Sequence, residues 1–213
     1  MTGVAPASTD DARAADRAPT RLPAAQRRAQ LLDAALATFA ERGFDGASMN
    51  DVAEAAGVTK PVLYQHFASK QALYRELVDD IGARLETAIM DVVVEAGTGR
   101  QQVEAGFRAF FRWATGEGEA FRVLFADRNR TDRDLAAAVA KVEQMMVDRV
   151  AELIAIEGLT PDERQVLAFG VVGVAEATSR QWLRLGLGPG EEADACADRV
   201  AQLVWAGLRG VGR

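Results

Sequence analysis

Ser48 to Lys70 reads SMNDVAEAAGVTKPVLYQHFASK, and its punctuation specifies two short helices joined by a sharp turn. Ser48 is placed to cap the first helix, with Asp51 three positions on completing a capping box. Val52, Ala53 and Ala56 supply that helix's apolar stripe. Gly57 closes it, because a residue without a Cβ enters the left-handed region freely. Thr59 stands as the next N-cap, and Pro61 falls in the first turn, where a missing N–H leaves no hydrogen bond unmade. Leu63 and Phe67 lie four apart on an inward face, so Lys60, Tyr64 and Gln65 point outward. A short helix displayed in this way suits a DNA groove, and these outward groups are the expected readers.

The preceding segment, AAQRRAQLLDAALATFAERGF, adds a helix over residues 24 to 42 with Leu32, Ala35, Leu36 and Phe39 on one face. Gly43 ends it in the left-handed cap position, and Phe44 is placed to pack back on Phe39. Residues 24 to 75 resemble the DNA-binding domain of the TetR family of one-component transcriptional regulators. The specific part is VTKPVLYQHFASK, in which a Tyr-x-His-Phe step precedes a Ser-capped helix carrying Lys70.

The resemblance implies an all-α fold. Residues 1 to 22, rich in Ala, Asp, Thr and Pro with little periodic apolar content, are expected to form a disordered arm, and a three-helix DNA-binding domain with the helix-turn-helix would follow over 23 to 70. A larger helical ligand-binding and dimerisation domain would follow over 71 to 213. It also implies that Tyr64 and Lys70 touch the DNA backbone. His66, the only histidine, would either contact a phosphate or serve as a capping and packing group. Ser48, Asn50 and Thr59 can add hydrogen bonds from helix starts, Pro61 shares the exposed first turn, and Arg17 or Arg21 in the arm is a candidate for the minor groove.

The net charge of −6 and pI near 5.0 give little support to nucleic-acid binding taken whole. Residues 21 to 75, however, hold seven Lys or Arg against five acids, so the positive bias coincides with the helix-turn-helix. Affinity must come from a few placed contacts and from dimerisation.

Ser69 caps a fourth helix of about 25 residues, with Leu73, Leu77, Ile81, Leu85, Ala88 and Val92 as its apolar positions. It reaches nearly 40 Å, enough to connect the two domains. Beyond Gly97-Thr98-Gly99, helices are expected near 100 to 115, 117 to 127, 132 to 157, 161 to 186 and 190 to 209, with no strand signal and no repeat.

Residues 166 to 178, VLAFGVVGVAEAT, are apolar on every face and require cover all round. Gly170 and Gly173 each cost about 1 kcal/mol relative to Ala in a helix, which fits close approach by another backbone. Val200, Leu203, Val204, Trp205 and Leu208 give the last helix a broad apolar face. Paired with their counterparts in a second subunit, the two helices would form a four-helix homodimer interface, as the resemblance also implies; the alternative is an ordinary core helix in a monomer.

Phe107, Phe110, Phe111, Trp113, Phe121 and Phe125 concentrate in two short helices, and Met145 and Met146 lie on the next. The cluster suits a pocket for an apolar or amphipathic molecule, or else simply fills the core. Glu176 needs a partner in its apolar surroundings, either Arg180 one turn on or a ligand. Trp182 faces the pocket mouth or the interface.

Other function classes find less support. No Walker loop, GxGxxG turn, GxSxG elbow or HExxH pair is present, and one His and one Cys provide neither a zinc cage nor a nucleophile pair. No cofactor or metal is expected. Cys196 is read as a small packed hydrophobe, with redox sensing as the rival. No stretch is long and apolar enough to suggest a membrane span or a signal-peptide core, so a cytoplasmic location is expected. The expected function is a ligand-responsive regulator, a repressor released from a palindromic operator; the alternative is a helical small-molecule-binding protein without regulatory DNA binding.

Overall fold

The computed structural model describes residues 23–125 and 132–211. The arm, with Arg17 and Arg21, lies outside the described residues. Three helices come first, one long and two short: α1 (Ala24–Gly46), α2 (Met49–Ala55) and α3 (Lys60–His66). Gly43 takes φ 70° and breaks α1 where its sequence position indicates, after which one further turn runs to Gly46. Phe44 then stacks on Phe39 at 5.9 Å between ring centroids. Both rings meet Tyr74 edge-on, at 5.1 and 5.2 Å.

The inward face of α1 differs from the expected one: Leu31 is fully buried, while Leu32 is only half-buried. The cause is that α1 packs on two sides, against α2 and against α4 and α6, so a single stripe does not describe it. Gly57, at φ 65°, makes the α2 to α3 reversal. The Ser48–Asp51 capping box is present. Thr59 occupies the N-cap position of α3, but its side chain makes no capping hydrogen bond.

The connecting rod α4 (Lys70–Val94) is 25 residues long, and Ser69 caps it through the Ala72 amide. Its buried positions run Leu73, Leu77, Ile81, Leu85, Ile89 and Val93, whereas Ala88 and Val92 are exposed. Each step of four residues advances about 40° beyond a full turn, so the buried stripe winds around α4. It faces the core formed with α1 at one end and a different set of helices at the other. Expecting Ala88 and Val92 inside assumed one fixed face.

The second domain comprises α5 (Gly99–Gly116), α6 (Gly118–Phe125), α7 (Arg133–Leu153), α8 (Pro161–Arg184) and α9 (Glu191–Val211). α4 crosses α7 at Gly82, where a Cβ would lie 2.7 Å from Val142 Cγ2. α6 packs on α1, and the Tyr74 hydroxyl donates to the Val123 carbonyl at 3.1 Å, joining the domains. α7 ends at Leu153, four residues before the sequence pattern suggests, because Ile154 turns extended and buries itself among Val147, Ala151 and Ala168. α5 and α9 are tied by two fork-to-fork pairs, Arg108 with Asp198 and Arg112 with Asp194. The Arg112 hydrogen bond is the main reason that the Asp194 carboxyl is held below its ordinary range.

Among the described residues, no helix is long and apolar enough to cross a membrane.

Candidate nucleic-acid interface and effector cavity

α3 is two turns long, and Lys60, Pro61, Tyr64 and Gln65 form one exposed stripe along it. Tyr64 leaves 45% of its surface exposed, with the Lys60 ammonium 6.0 Å from its ring centroid. Leu63 and Phe67 are buried beneath them, fixing which face looks outward. Asn50 and Thr59 are exposed beside this stripe. Ser48 is also exposed, but its hydroxyl serves the capping box, donating to Asp51 Oδ2 at 2.6 Å and accepting from the Asp51 amide at 3.2 Å. That hydroxyl, then the Ser48 amide and Arg42, hold the Asp51 carboxyl below its ordinary range.

His66 is half-buried at the end of α3, its ring 6.4 Å from that of Phe67. Lys70 departs from the expected phosphate contact. Its ammonium turns inward to the carbonyls of Phe44 at 2.8 Å and Ala47 at 2.9 Å, and lies 4.3 Å from the Phe44 ring centroid. It caps the end of α1, where helix geometry leaves carbonyls without partners.

At the other end, a cavity of about 640 Å³ opens between α4, α5, α7, α8 and α9. Its walls are Ile89, Met90 and Val93 of α4, Val103, Gly106, Phe107 and Phe110 of α5, and Met146, Val150 and Leu153 of α7. Val171, Val172 and Ala175 of α8 and Trp205 and Leu208 of α9 complete them. Polar character is confined to Gln102, Glu157 and Arg209.

Of the residues expected to hold a ligand, Phe107, Phe110 and Met146 line this space, and the others do not. Phe111 is fully buried and meets Trp182 edge-on at 6.4 Å. Phe121 and Phe125 pack with Phe110 on the α5–α6 side. Met145 is half-buried against the core. Glu176 is buried and paired with Arg180, and of these neighbours it is Ala175 that lines the cavity. Trp182 donates its indole N–H to the Gly188 carbonyl at 3.0 Å.

The α4 wall had a sequence signal, the strict step of four that carries burial from Leu73 to Val93. Trp205 and Leu208 had been assigned to the subunit interface.

That interface face is also divided. Val200 and Val204 pack on the chain's own core, and Leu208 lines the cavity. Leu203 on α9 remains 72% exposed, and Val166 and Phe169 on α8 remain 70% and 55% exposed. A Cβ added at Gly170 or Gly173 would meet nothing within 4 Å, so the chain itself does not supply the close neighbour that these glycines suggest. Cys196 is half-buried against the core.

Known proteins align with both regions. The pattern of bacterial regulatory proteins of the tetR family matches residues 31–77, and that of a tetracyclin repressor-like C-terminal domain matches residues 100–207. The HTH-type transcriptional activator FasR of Mycolicibacterium smegmatis is 32% identical over 194 residues, covering 91% of this chain and 88% of FasR. A TetR-like transcriptional regulator from Rhodococcus sp. RHA1 superposes with a TM-score of 0.73 at 28% identity, over 89% of this chain and 100% of that one. The regulator FadR from Bacillus subtilis, solved with stearoyl-CoA, gives 0.72 at 18% identity, over 84% and 98% of the two chains.

Proposed function

This chain belongs to the tetR family of bacterial regulatory proteins and is a ligand-responsive, DNA-binding regulator of transcription; on that premise we propose that it works as a homodimer whose effector is a long-chain acyl thioester. The observation that carries this reading is the cavity: about 640 Å³, apolar on the walls contributed by all five helices, with polar groups only at Gln102, Glu157 and Arg209. An acyl chain suits such walls, since each buried methylene contributes about 0.8 kcal/mol. The three polar side chains can meet a thioester or headgroup. FadR of Bacillus subtilis, which shares the fold, was solved with such a ligand.

Ile89, Met90 and Val93 make α4 one wall of the cavity, and the same helix carries the DNA-binding domain at its other end. A chain inserted there displaces the cavity half of α4. The tight Gly82–Val142 crossing limits sliding, so the helix tilts and the two recognition helices of a dimer change their separation. The half-sites of a palindromic operator lie about 34–36 Å apart or at multiples of that distance, and the ligand-bound form no longer spans them. Coupling is reciprocal: operator weakens ligand binding by the factor by which ligand weakens operator binding. Whether release derepresses a gene or withdraws activation depends on where the operator lies relative to the promoter, and the relative FasR is named an activator.

Dimerisation rests on the exposed apolar face of Val166, Phe169, Gly170, Gly173 and Leu203. Leu203→Glu places an unpaired charge there and is expected to weaken the dimer about 100-fold or more in analytical ultracentrifugation. A parent protein that sediments as a folded monomer at micromolar concentration sinks the dimer.

The effector is tested with genomic fragments selected by the purified protein and titrated with stearoyl-CoA, with stearate and free CoA as separate arms. The expected result is a higher melting temperature and about 5- to 150-fold weaker fragment binding with the thioester. Stabilisation without any change in fragment binding removes the switch, and no stabilisation by any arm removes the acyl reading.

A further inference from the structure

One guanidinium gathers three elements of the DNA-binding domain. Arg28, on α1, directs Nε and Nη2 to the two carboxylate oxygens of Glu76 on α4. Its Nη1 donates at 3.1 Å to the carbonyl of His66, the last residue of α3. The guanidinium plane lies 4.6 Å from the ring centroid of Phe67, which caps α3.

α3 has seven residues, too few to hold a helix or an orientation unaided. Its last carbonyls have no partner within the helix, and an arginine donor is one of the few groups that can both satisfy one and fix the helix's exit direction. Glu76 lies six residues before Gly82, on the DNA side of the α4–α7 crossing, so any tilt of α4 about that crossing displaces its carboxylate.

We propose that Arg28 and Glu76 are positioning residues for DNA binding: Glu76 orients Arg28, and Arg28 sets the pose of the recognition helix α3 relative to α4. The inference rests on the DNA-binding function of the family and is independent of which molecule occupies the cavity. It gives α4 a polar handle on α3 through Arg28 of α1. A fork-to-fork pair is suited to this because it fixes angle as well as distance. As an isolated exposed ion pair, with side chains 40% and 34% accessible, the same contact would do little.

The experiment exploits an opposition of sign. Glu76→Gln removes a negative charge from the DNA-binding end, which by electrostatics alone strengthens binding to phosphate. Loss of positioning weakens it instead. Fluorescence anisotropy with a labelled duplex recovered by the parent from sheared genomic DNA is expected to show a loss of about 5- to 30-fold for Glu76→Gln. Arg28→Lys, which retains the charge but not the fork, is expected to lose a similar factor with its circular dichroism unchanged.

In an Arg28→Ala background, Glu76→Gln is expected to cause no further loss and to leave only the small electrostatic gain, because its positioning effect passes through Arg28. A separate arm needs no DNA: amide hydrogen exchange over residues 60 to 66 is expected to quicken in Glu76→Gln while that of α5 and α9 stays as in the parent. Unchanged or tighter duplex binding by Glu76→Gln, additive losses in the double variant, or unaltered exchange in α3 overturns the proposal.

Discussion

The helix-turn-helix takes most of its shape from neighbours in sequence. Ser48 and Asp51 are three residues apart, Gly57 turns the chain, and Leu63 and Phe67 are one turn apart on a buried face. The cavity, by contrast, is assembled from residues as distant as Ile89 and Arg209, and none of its five helices contributes more than one wall. Short-range chemistry leaves its mark in a single sequence because caps, turns and i, i+4 faces are local events. A cavity is a space left between helices, and which side chains face it depends on how those helices cross.

The largest expected effect breaks the aromatic cluster into its two kinds of member. Phe111 is fully buried and does not line the cavity, whereas Phe107 does. Phe111→Ala is expected to cost about 3–5 kcal/mol in urea unfolding, with little change in stearoyl-CoA affinity among molecules that remain folded. Phe107→Ala should show the reverse emphasis, with ligand affinity falling more than fragment binding. Equal effects of the two variants on ligand affinity would contradict the assignment of Phe111 to the core.

The aromatic segments illustrate how far the sequence could be read. It located a phenylalanine-rich helix near 100 to 115, within a residue of each end of α5, because helical period and capping are local. It could not separate Phe107 and Phe110 from Phe111, since all three are buried and only the placement of α7, α8 and α9 decides which meets empty space. α8 shows the same limit: its Gly170 and Gly173 pointed to close packing, yet the chain alone places nothing there. In the DNA-binding domain the shortfall was a side chain long enough to turn either way, Lys70.

Lys70 and Lys60 sharpen the contrast within the DNA-binding end. The Lys70 ammonium caps two carbonyls, and hydrogen bonds from charged groups are worth about 1.5–3 kcal/mol. Lys70→Met is therefore expected to lose stability of that order while the salt dependence of DNA binding keeps its slope. Lys60 is exposed on the outer stripe of α3. Lys60→Ala should leave stability unchanged and flatten the slope of log K against log salt by about 0.9 per lost phosphate contact, or about 2 for a dimer on two half-sites. An exchange of these two signatures would restore Lys70 to the DNA surface.

Between the two ends lies the α4–α7 crossing. Gly82→Ala gains about 1 kcal/mol of helix propensity but sets a Cβ 2.7 Å from Val142 Cγ2, on a β-branched side chain with little freedom to move. Overpacking costs about 1–3 kcal/mol, so a net loss of about 1 kcal/mol is expected. Adding Val142→Ala should relieve it. If Gly82→Ala were stabilising on its own, the helices would be free to part at this point, and the crossing could not restrict α4 to tilting.

The smallest effect compares the capping boxes at the two ends, Ser48–Asp51 on α2 and Thr160–Glu163 on α8. The Asp51 carboxyl is lowered from its ordinary 3.8 first by the Ser48 hydroxyl, then by the Ser48 amide and Arg42. Glu163 is lowered from 4.5 first by the Thr160 amide and then by its hydroxyl. A carboxylate whose folded pKa lies below its unfolded value contributes stability above the unfolded value and loses it as pH falls through the folded one. Both contributions are thus present at neutral pH and fade below pH 4.5 for Glu163 and below pH 3.8 for Asp51. Ser48→Ala and Thr160→Ala should each lower the urea midpoint at pH 7 and make it less sensitive to acid between about pH 5 and 3. Ser48→Ala should weaken fragment binding more than Thr160→Ala, because α2 packs directly on the recognition helix whereas α8 acts on binding only through the dimer. If Thr160→Ala weakened binding as much, the first turn of α8 would matter to the DNA-binding end as much as the cap of α2 does, and the helix-turn-helix would not be set mainly by its own local caps.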